Sequence, residues 1–119
     1  MSGAGAAAIA CLRLYLALGL RLENVVVVFD KDGVINRERT DRSPLQMQFA
    51  TDRAIATLAQ AMVSADVFLG LSAANVLPAA LLLLMAERPI MFALANPDPE
   101  IIHELALTTR PDLLMATGR

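Results

Sequence analysis

Three short stretches of the chain carry residue types whose spacing could do chemistry. Gly3-Ala4-Gly5-Ala6-Ala7-Ala8 fits G-x-G-x-x-A. In a phosphate-binding turn of that form, the first glycine makes the tight bend and the second lets backbone approach a pyrophosphate. The third small residue lets helix pack on strand. A helix that starts there points its free N–H groups at the phosphates. Ala/Gly-rich sequence is equally ordinary helix-packing sequence, so the motif alone leaves both readings open. Asp30 ends the run Val25-Val26-Val27-Val28-Phe29. It lies about 20 residues beyond Ala8, the spacing of an acid that accepts from a ribose 2′-hydroxyl. The plain alternative is a strand-end Asp in a D-x-D-G turn. Asn96, in Ala95-Asn96-Pro97-Asp98-Pro99, follows an apolar stretch and can both donate and accept, which suits a carboxylate or a carboxamide. Asn-Pro is also a generic turn starter. Ser72, after the stretch 66–70, falls on the same rim with the same two readings.

Residues 25–35, VVVVFDKDGVI, also resemble the opening motif of haloacid-dehalogenase-type phosphatases. There Asp30 would be the nucleophile, Asp32 the acid and Ser72 the phosphate binder. That chemistry needs a separate lysine and late acidic magnesium ligands. The only lysine is Lys31, inside the motif itself, and Asp98 is a single late carboxylate. The glycine-rich opening would go unexplained. Among the remaining singletons, His103 reads as solvated surface, Tyr15 as core, Cys11 as a small buried hydrophobe, and the six methionines as core filler.

These residues must be positioned by regular elements. Residues 6–18 read as a helix buried on most sides and stopped at Gly19. The unalternating run 25–29 reads as a strand covered on both faces, as in a parallel sheet. Asp30 and Gly33 give turn chemistry, and residues 36–44 a charged surface loop. Then follow an amphipathic helix over 53–63, a strand over 66–70, a helix over 78–86 with Pro78 in its first turn, and a strand over 90–94. The prolines of 95–99 force a loop. A short helix over 100–107 and a buried strand over 112–116 complete the series. Alternation of this kind means an α/β fold with a Rossmann-like parallel sheet, flanking helices and right-handed crossovers. No strand precedes the first helix and the chain stops directly after a strand, so the sheet is expected to be incomplete, its first strand absent, and the chain a fragment of a longer protein.

Composition narrows the function classes. The chain has 119 residues, 56% hydrophobic and 18% charged, which allows one small domain with an unusually apolar make-up. A net charge of −2 supplies no basic field for nucleic acid. Four Phe, one Tyr and no Trp disfavour a base-stacking or sugar-binding platform. A single cysteine excludes an internal disulfide framework and fits a reducing compartment. Arg13 interrupts the apolar N-terminal run and no basic residues precede it, which argues against a secretory signal. The apolar run 76–86 is too short to span a bilayer. The expectation is a cytoplasmic protein with no membrane and no nucleic-acid partner.

With these residues in hand, the chain resembles the dinucleotide-binding domain of bacterial malic enzymes. The resemblance runs through SGAGAAAIACL (2–12), NVVVVFDKDGVI (24–35), ADVFLGLSA (65–73), RPIMFALANPDPEI (88–101) and RPDLLMATGR (110–119). It makes residues 1–119 a partial NAD(P)-binding domain. It implies oxidative decarboxylation of L-malate to pyruvate and CO2, using NAD or NADP with Mg or Mn, by a homo-oligomer. It places Gly3, Ala4, Gly5 and Ala6 at the phosphates, Asp30 and Lys31 at the adenosine ribose, and Leu71 and Ser72 on the rim strand touching the cofactor. It sets Asn96 near the nicotinamide and the malate. It also implies that the general-acid tyrosine, the general-base lysine and the metal ligands lie upstream, so no catalytic or metal-binding residue is expected in this chain. Residues 37–50 match the family poorly. Asp32, which would repel a 2′-phosphate, tilts the expectation towards NAD. A non-enzymatic alternative is an inactive piece that folds by self-association through unpaired sheet edges.

Overall fold

A computed structural model describes residues 1–24 and 28–118. The first helix, α1 (Ala6–Ala17), is built of alanines and leucines with high helix propensity. The Leu18 N–H closes back on Leu14 O, and Gly19 then takes φ +106°, the left-handed turn that a glycine end signal implies. The helix is buried on one face only. Ala8, Ile9 and Leu12 pack inward, whereas Leu14 is 59% and Leu18 75% exposed. The expected burial on most sides is corrected, because α1 meets its neighbours along a single stripe.

The valine run falls largely outside the described residues, since Val25–Val27 are not among them. Its visible end is β1 (Phe29–Asp30). A two-residue turn follows and the chain doubles back as β2 (Gly33–Val34), antiparallel to β1. The turn is set by Asp30, whose Oδ1 accepts from the Asp32 N–H at 2.8 Å, and by Gly33 at φ +114°. Three parallel strands form the rest of the sheet: β3 (Val67–Gly70), β4 (Ile90–Ala93) and β5 (Leu114–Thr117), with Val67 opposite Ile90 and Ile90 opposite Leu114. Met1 to Gly3 join the two parts. Ser2 bridges in parallel to both Phe29 and Gly70. Its N–H donates to Leu69 O and its carbonyl accepts from the Leu71 N–H, both at 2.8 Å; the Gly3 N–H donates to Phe29 O at 2.7 Å. The spatial order is therefore β1, Ser2, β3, β4, β5. Among the described residues no strand precedes α1, and Ser2 occupies the position between β1 and β3 through its two bridges.

The helices depart from the expected spans for local reasons. The helix expected over 53–63 is only α3 (Leu58–Met62). Thr57 accepts from the Gln60 N–H while the Gln60 side chain accepts from the Ala56 and Thr57 N–H groups, so the capping box fixes the start at 58. The segment expected as a helix over 78–86 is a 3-10 helix, Ala79–Leu84. The last helix, α4 (His103–Thr109), begins three residues after Glu100. A further short helix, α2 (Pro44–Met47), emerges from the charged loop, and another 3-10 turn spans Leu22–Asn24. The last strand is not buried as expected. Leu114 is 64% exposed because, among the described residues, β5 pairs on one side alone.

Among the described residues three apolar clusters sit on the sheet, the smallest being Phe29 and Val34 with Ile55, Leu58 and Ala61 packed against them. Met62, Phe68, Leu77, Leu82, Met85, Met91 and Ile101 fill the one under β3 and β4. Ile9, Leu12, Val28, Ile35 and Phe49 lock α1 to the hairpin side. Full burial of Phe68, Leu82 and Met91 contributes about 1.5–3 kcal/mol each. These clusters hold the carboxyl ends of the strands at one rim.

Candidate functional site

At that rim the N-terminal turn opens onto a cleft of about 750 Å³, lined among others by Gly3, Ala4, Gly5, Asp30, Lys31, Leu71 and Ser72. Gly3 has φ +108°, and a Cβ there would stand 2.5 Å from Leu71 O, so no side chain fits between the two strand ends. Gly5 is the N-cap of α1, and a Cβ on it would meet nothing within 4 Å. The space in front of Gly5 is thus open to a ligand. Among the described residues no side chain caps α1, and no acid lies in its first turn. Its first N–H groups and its positive dipole end are left for an anion. The Gln46 Nε2 donates to Ala4 O at 2.9 Å and fixes the turn from the other side. These features fit the pyrophosphate of a dinucleotide.

Asp30 stands at the second wall of the cleft, with its side chain 10% exposed. Its Oδ1 accepts from the Asp32 N–H, and both oxygens accept from Arg39 Nη1 at 3.1 Å. Arg42 Nε forms an ion pair with Oδ2, and Arg42 Nη2 pairs with Asp32. Arg39 turns its other edge to Asp41, donating from Nε at 3.0 Å and Nη2 at 2.9 Å. Burial opposes the charge on Asp30. The Asp32 N–H, Arg39 and Arg42 outweigh that cost and hold its pKa below the ordinary carboxylate range. The hydrogen bonds from Arg39 hold Asp41 down at about 2, and the Asp41 and Asp30 carboxylates push Arg39 up.

The third wall follows β3. The Ser72 hydroxyl lies 2.8 Å from that of Ser2. Beneath it Glu100 is fully buried: Oε1 accepts from the Ser72 N–H at 3.0 Å and Oε2 from the Ala95 N–H at 3.1 Å. One carboxylate thereby ties the segment after β3 to the segment after β4. Gly70 makes room for it, because a Cβ there would sit 2.4 Å from the Glu100 carboxyl carbon.

Seven of the nine residues expected at the site therefore meet in one cleft. Ala6 instead faces an adjoining hollow of about 560 Å³ shared with Arg13 and Gln46. Asn96 lies beyond β4, exposed, outside the cleft lining. His103 is exposed, and Cys11 and Tyr15 are half-buried. Sequence reading missed Arg39, Arg42, Gln46 and Glu100. Ser43-Pro44-Leu45-Gln46 is a capping-box signature that pointed to Gln46. Glu100, one of two acids in Pro97-Asp98-Pro99-Glu100, carries no such signal. Among the described residues no cluster of three or more His, Cys, Asp or Glu is arranged around a metal position.

No family model matches the chain. Curated relatives do. It is 50% identical over 117 residues to an NADP-dependent malic enzyme of Halomonas elongata, covering 98% of this chain and 28% of that protein. It is 48% identical over 119 residues to an NAD-dependent malic enzyme of Rhizobium meliloti, covering 99% of this chain and 15% of that one. The chain is a homologue of one segment of the malic enzymes. The crystal structure of Entamoeba histolytica malic enzyme superposes with a TM-score of 0.86 at 31% identity, covering 99% of this chain and 26% of that one. Malic enzymes thus share both the sequence and the arrangement of this segment, although it spans less than a third of each of these relatives. The phosphatase alternative gains no support from them, and it would need as nucleophile a carboxylate already bound by two arginines.

Proposed function

We propose that the chain supplies part of the NAD(P) site of a malic enzyme that converts L-malate to pyruvate and CO2. The observation that carries this reading is the uncapped start of α1 behind Gly3 and Gly5, opening on a cleft that also holds Asp30, Lys31, Leu71 and Ser72. In it Gly3, Ala4, Gly5 and Ala6 hold the pyrophosphate, Asp30 and Lys31 border the adenosine ribose, and Leu71 and Ser72 line the way to the nicotinamide. Asn96, on the same rim, orients the nicotinamide and the malate. When bound, the dinucleotide accepts the hydride from malate. Proton transfer and a divalent Mg or Mn ion fall to residues outside this chain. Homo-oligomeric assembly and a cytoplasmic site belong to the same reading. Among the described residues no helix is long and apolar enough to cross a membrane.

Gly3→Ala tests the turn. The added methyl has no space against Leu71 O, so the full-length protein should lose at least about tenfold in dinucleotide affinity, roughly 1.4 kcal/mol. Calorimetric titration with NAD and NADP measures it. Unchanged affinity, or failure of the unmutated protein to bind either, overturns the reading.

A further inference from the structure

Glu100 is a buried ionisable side chain that the reading above leaves without a task. It forms no ion pair among the described residues. Burying a carboxylate is costly unless hydrogen bonds compensate, and here N–H groups from two segments do so. The Ser72 N–H donates to Oε1 at 3.0 Å, with the Ser72 hydroxyl 3.4 Å from the same oxygen, and the Ala95 N–H donates to Oε2 at 3.1 Å. The backbone adds two more ties between the same segments. The Asn75 N–H donates to Pro99 O at 3.0 Å and the Leu77 N–H to Glu100 O at 3.1 Å. Leu77 and Ile101 anchor both segments in the core under β3 and β4. The segment after β3 brings Leu71, Ser72 and Val76 to the cleft lining. The segment after β4 carries Asn96, directly after Ala95. One buried carboxylate therefore spans from the cofactor wall to the asparagine.

We propose that Glu100 is a positioning residue for hydride transfer: by holding the Ser72 segment and the Asn96 segment at a fixed separation, it sets the distance between dinucleotide and malate. The inference rests on the cofactor and substrate reading above. In that reaction the C2–H bond of malate breaks as a hydride and a bond forms to C4 of the nicotinamide. Malate is oxidised, the dinucleotide is reduced, and the hydroxyl proton leaves to a residue outside this chain. Such a step depends steeply on placement, and an error of about 1 Å can cost roughly hundredfold. An ionised carboxylate accepts at both oxygens, whereas an amide turns a donor towards one of the two N–H groups. Glu100→Gln therefore pushes one segment away. Glu100→Asp keeps the charge, but its shorter arm withdraws the carboxylate from both N–H groups.

The full-length protein, these two variants and Glu104→Gln as a control are assayed for malate-dependent reduction of NAD and of NADP, with ordinary malate and with malate deuterated at C2. Both Glu100 variants should lose at least about tenfold in kcat/KM for malate. Their deuterium isotope effect on kcat/KM should rise above the parent's, because hydride transfer becomes more nearly rate-limiting. Dinucleotide affinity, measured by calorimetry, should fall less than kcat/KM. A purely structural role lowers the amount of active enzyme and leaves the isotope effect alone. That effect is a ratio read on whatever fraction folds, so a poor yield of either variant does not hide it. An isotope effect equal to the parent's in both variants, or an unchanged kcat/KM, overturns the proposal. Absence of malate-dependent reduction by the unmutated protein instead overturns the reading of the reaction beneath it.

Discussion

Glu100 shows how one side chain can organise a rim without touching a ligand. It is fully buried, it meets no cation among the described residues, and its two oxygens accept from N–H groups on different segments. Glu100→Ala would leave the Ser72 and Ala95 N–H groups without their acceptor. A buried unsatisfied donor costs about 1–3 kcal/mol, so a loss of about 2–4 kcal/mol of stability is expected. Glu100→Gln should also destabilise, since an amide nitrogen would face one of the two donors. Glu104→Gln, on the exposed side of α4, should stay within about 0.5 kcal/mol. Thermal denaturation of the three variants checks this, and a Glu100→Ala melting temperature equal to that of Glu104→Gln would remove Glu100 from its role. The sequence shows an acid in PDPEI and nothing about its burial, because the N–H groups it serves come from residues 72 and 95. Gly3 and Gly5 were legible for the opposite reason. Their role lies in their own backbone, and spacing alone reports it.

The charged segment 36–44 is the element whose character changes most between sequence and structure. Its composition reads as a solvated loop, and in the fold it folds back on the β1–β2 turn. Arg39 and Arg42 are only 15% and 16% exposed in their side chains. The i, i+3 spacing of the arginines was visible, but their partner Asp30 lies across a hairpin, a tertiary fact. The acids of this cluster set its pH response. Asp30 and Asp41 have folded pKa values below the unfolded value, Asp41 at about 2. Their contribution is full above about pH 4 and is lost as pH falls through the folded values. NMR titration of the carboxylates should show Asp41 at a midpoint near 2, with the amides of residues 36–47 moving in the same window. A midpoint near 4, the ordinary value, would mean that the cluster does not hold in solution.

At the scale of the whole molecule, the parallel sheet was legible because its strands are short apolar runs bounded by turn residues, and β3 and β4 fall within one residue of expectation. The helices between them were less so. Capping boxes and 3-10 turns decide where those begin, and hydrophobic spacing does not report either. The sheet also fixes how the 119-residue chain behaves alone. Its β5 edge pairs only with β4 among the described residues, and it displays Leu114 at 64% exposure. The outer face of α1 adds Leu14, and its C-cap adds Leu18. An edge strand offers backbone N–H and C=O groups to a second copy, and the exposed leucines beside it favour association. The isolated chain should therefore show a mass by light scattering that rises with concentration. Leu114→Lys should hold it nearer the monomer, since a charge on an edge strand opposes edge-to-edge pairing. A monomeric mass across the whole range would show that β5 is protected in some other way. An unchanged rise in Leu114→Lys would move the contact to α1, where Leu18→Lys provides the corresponding measurement.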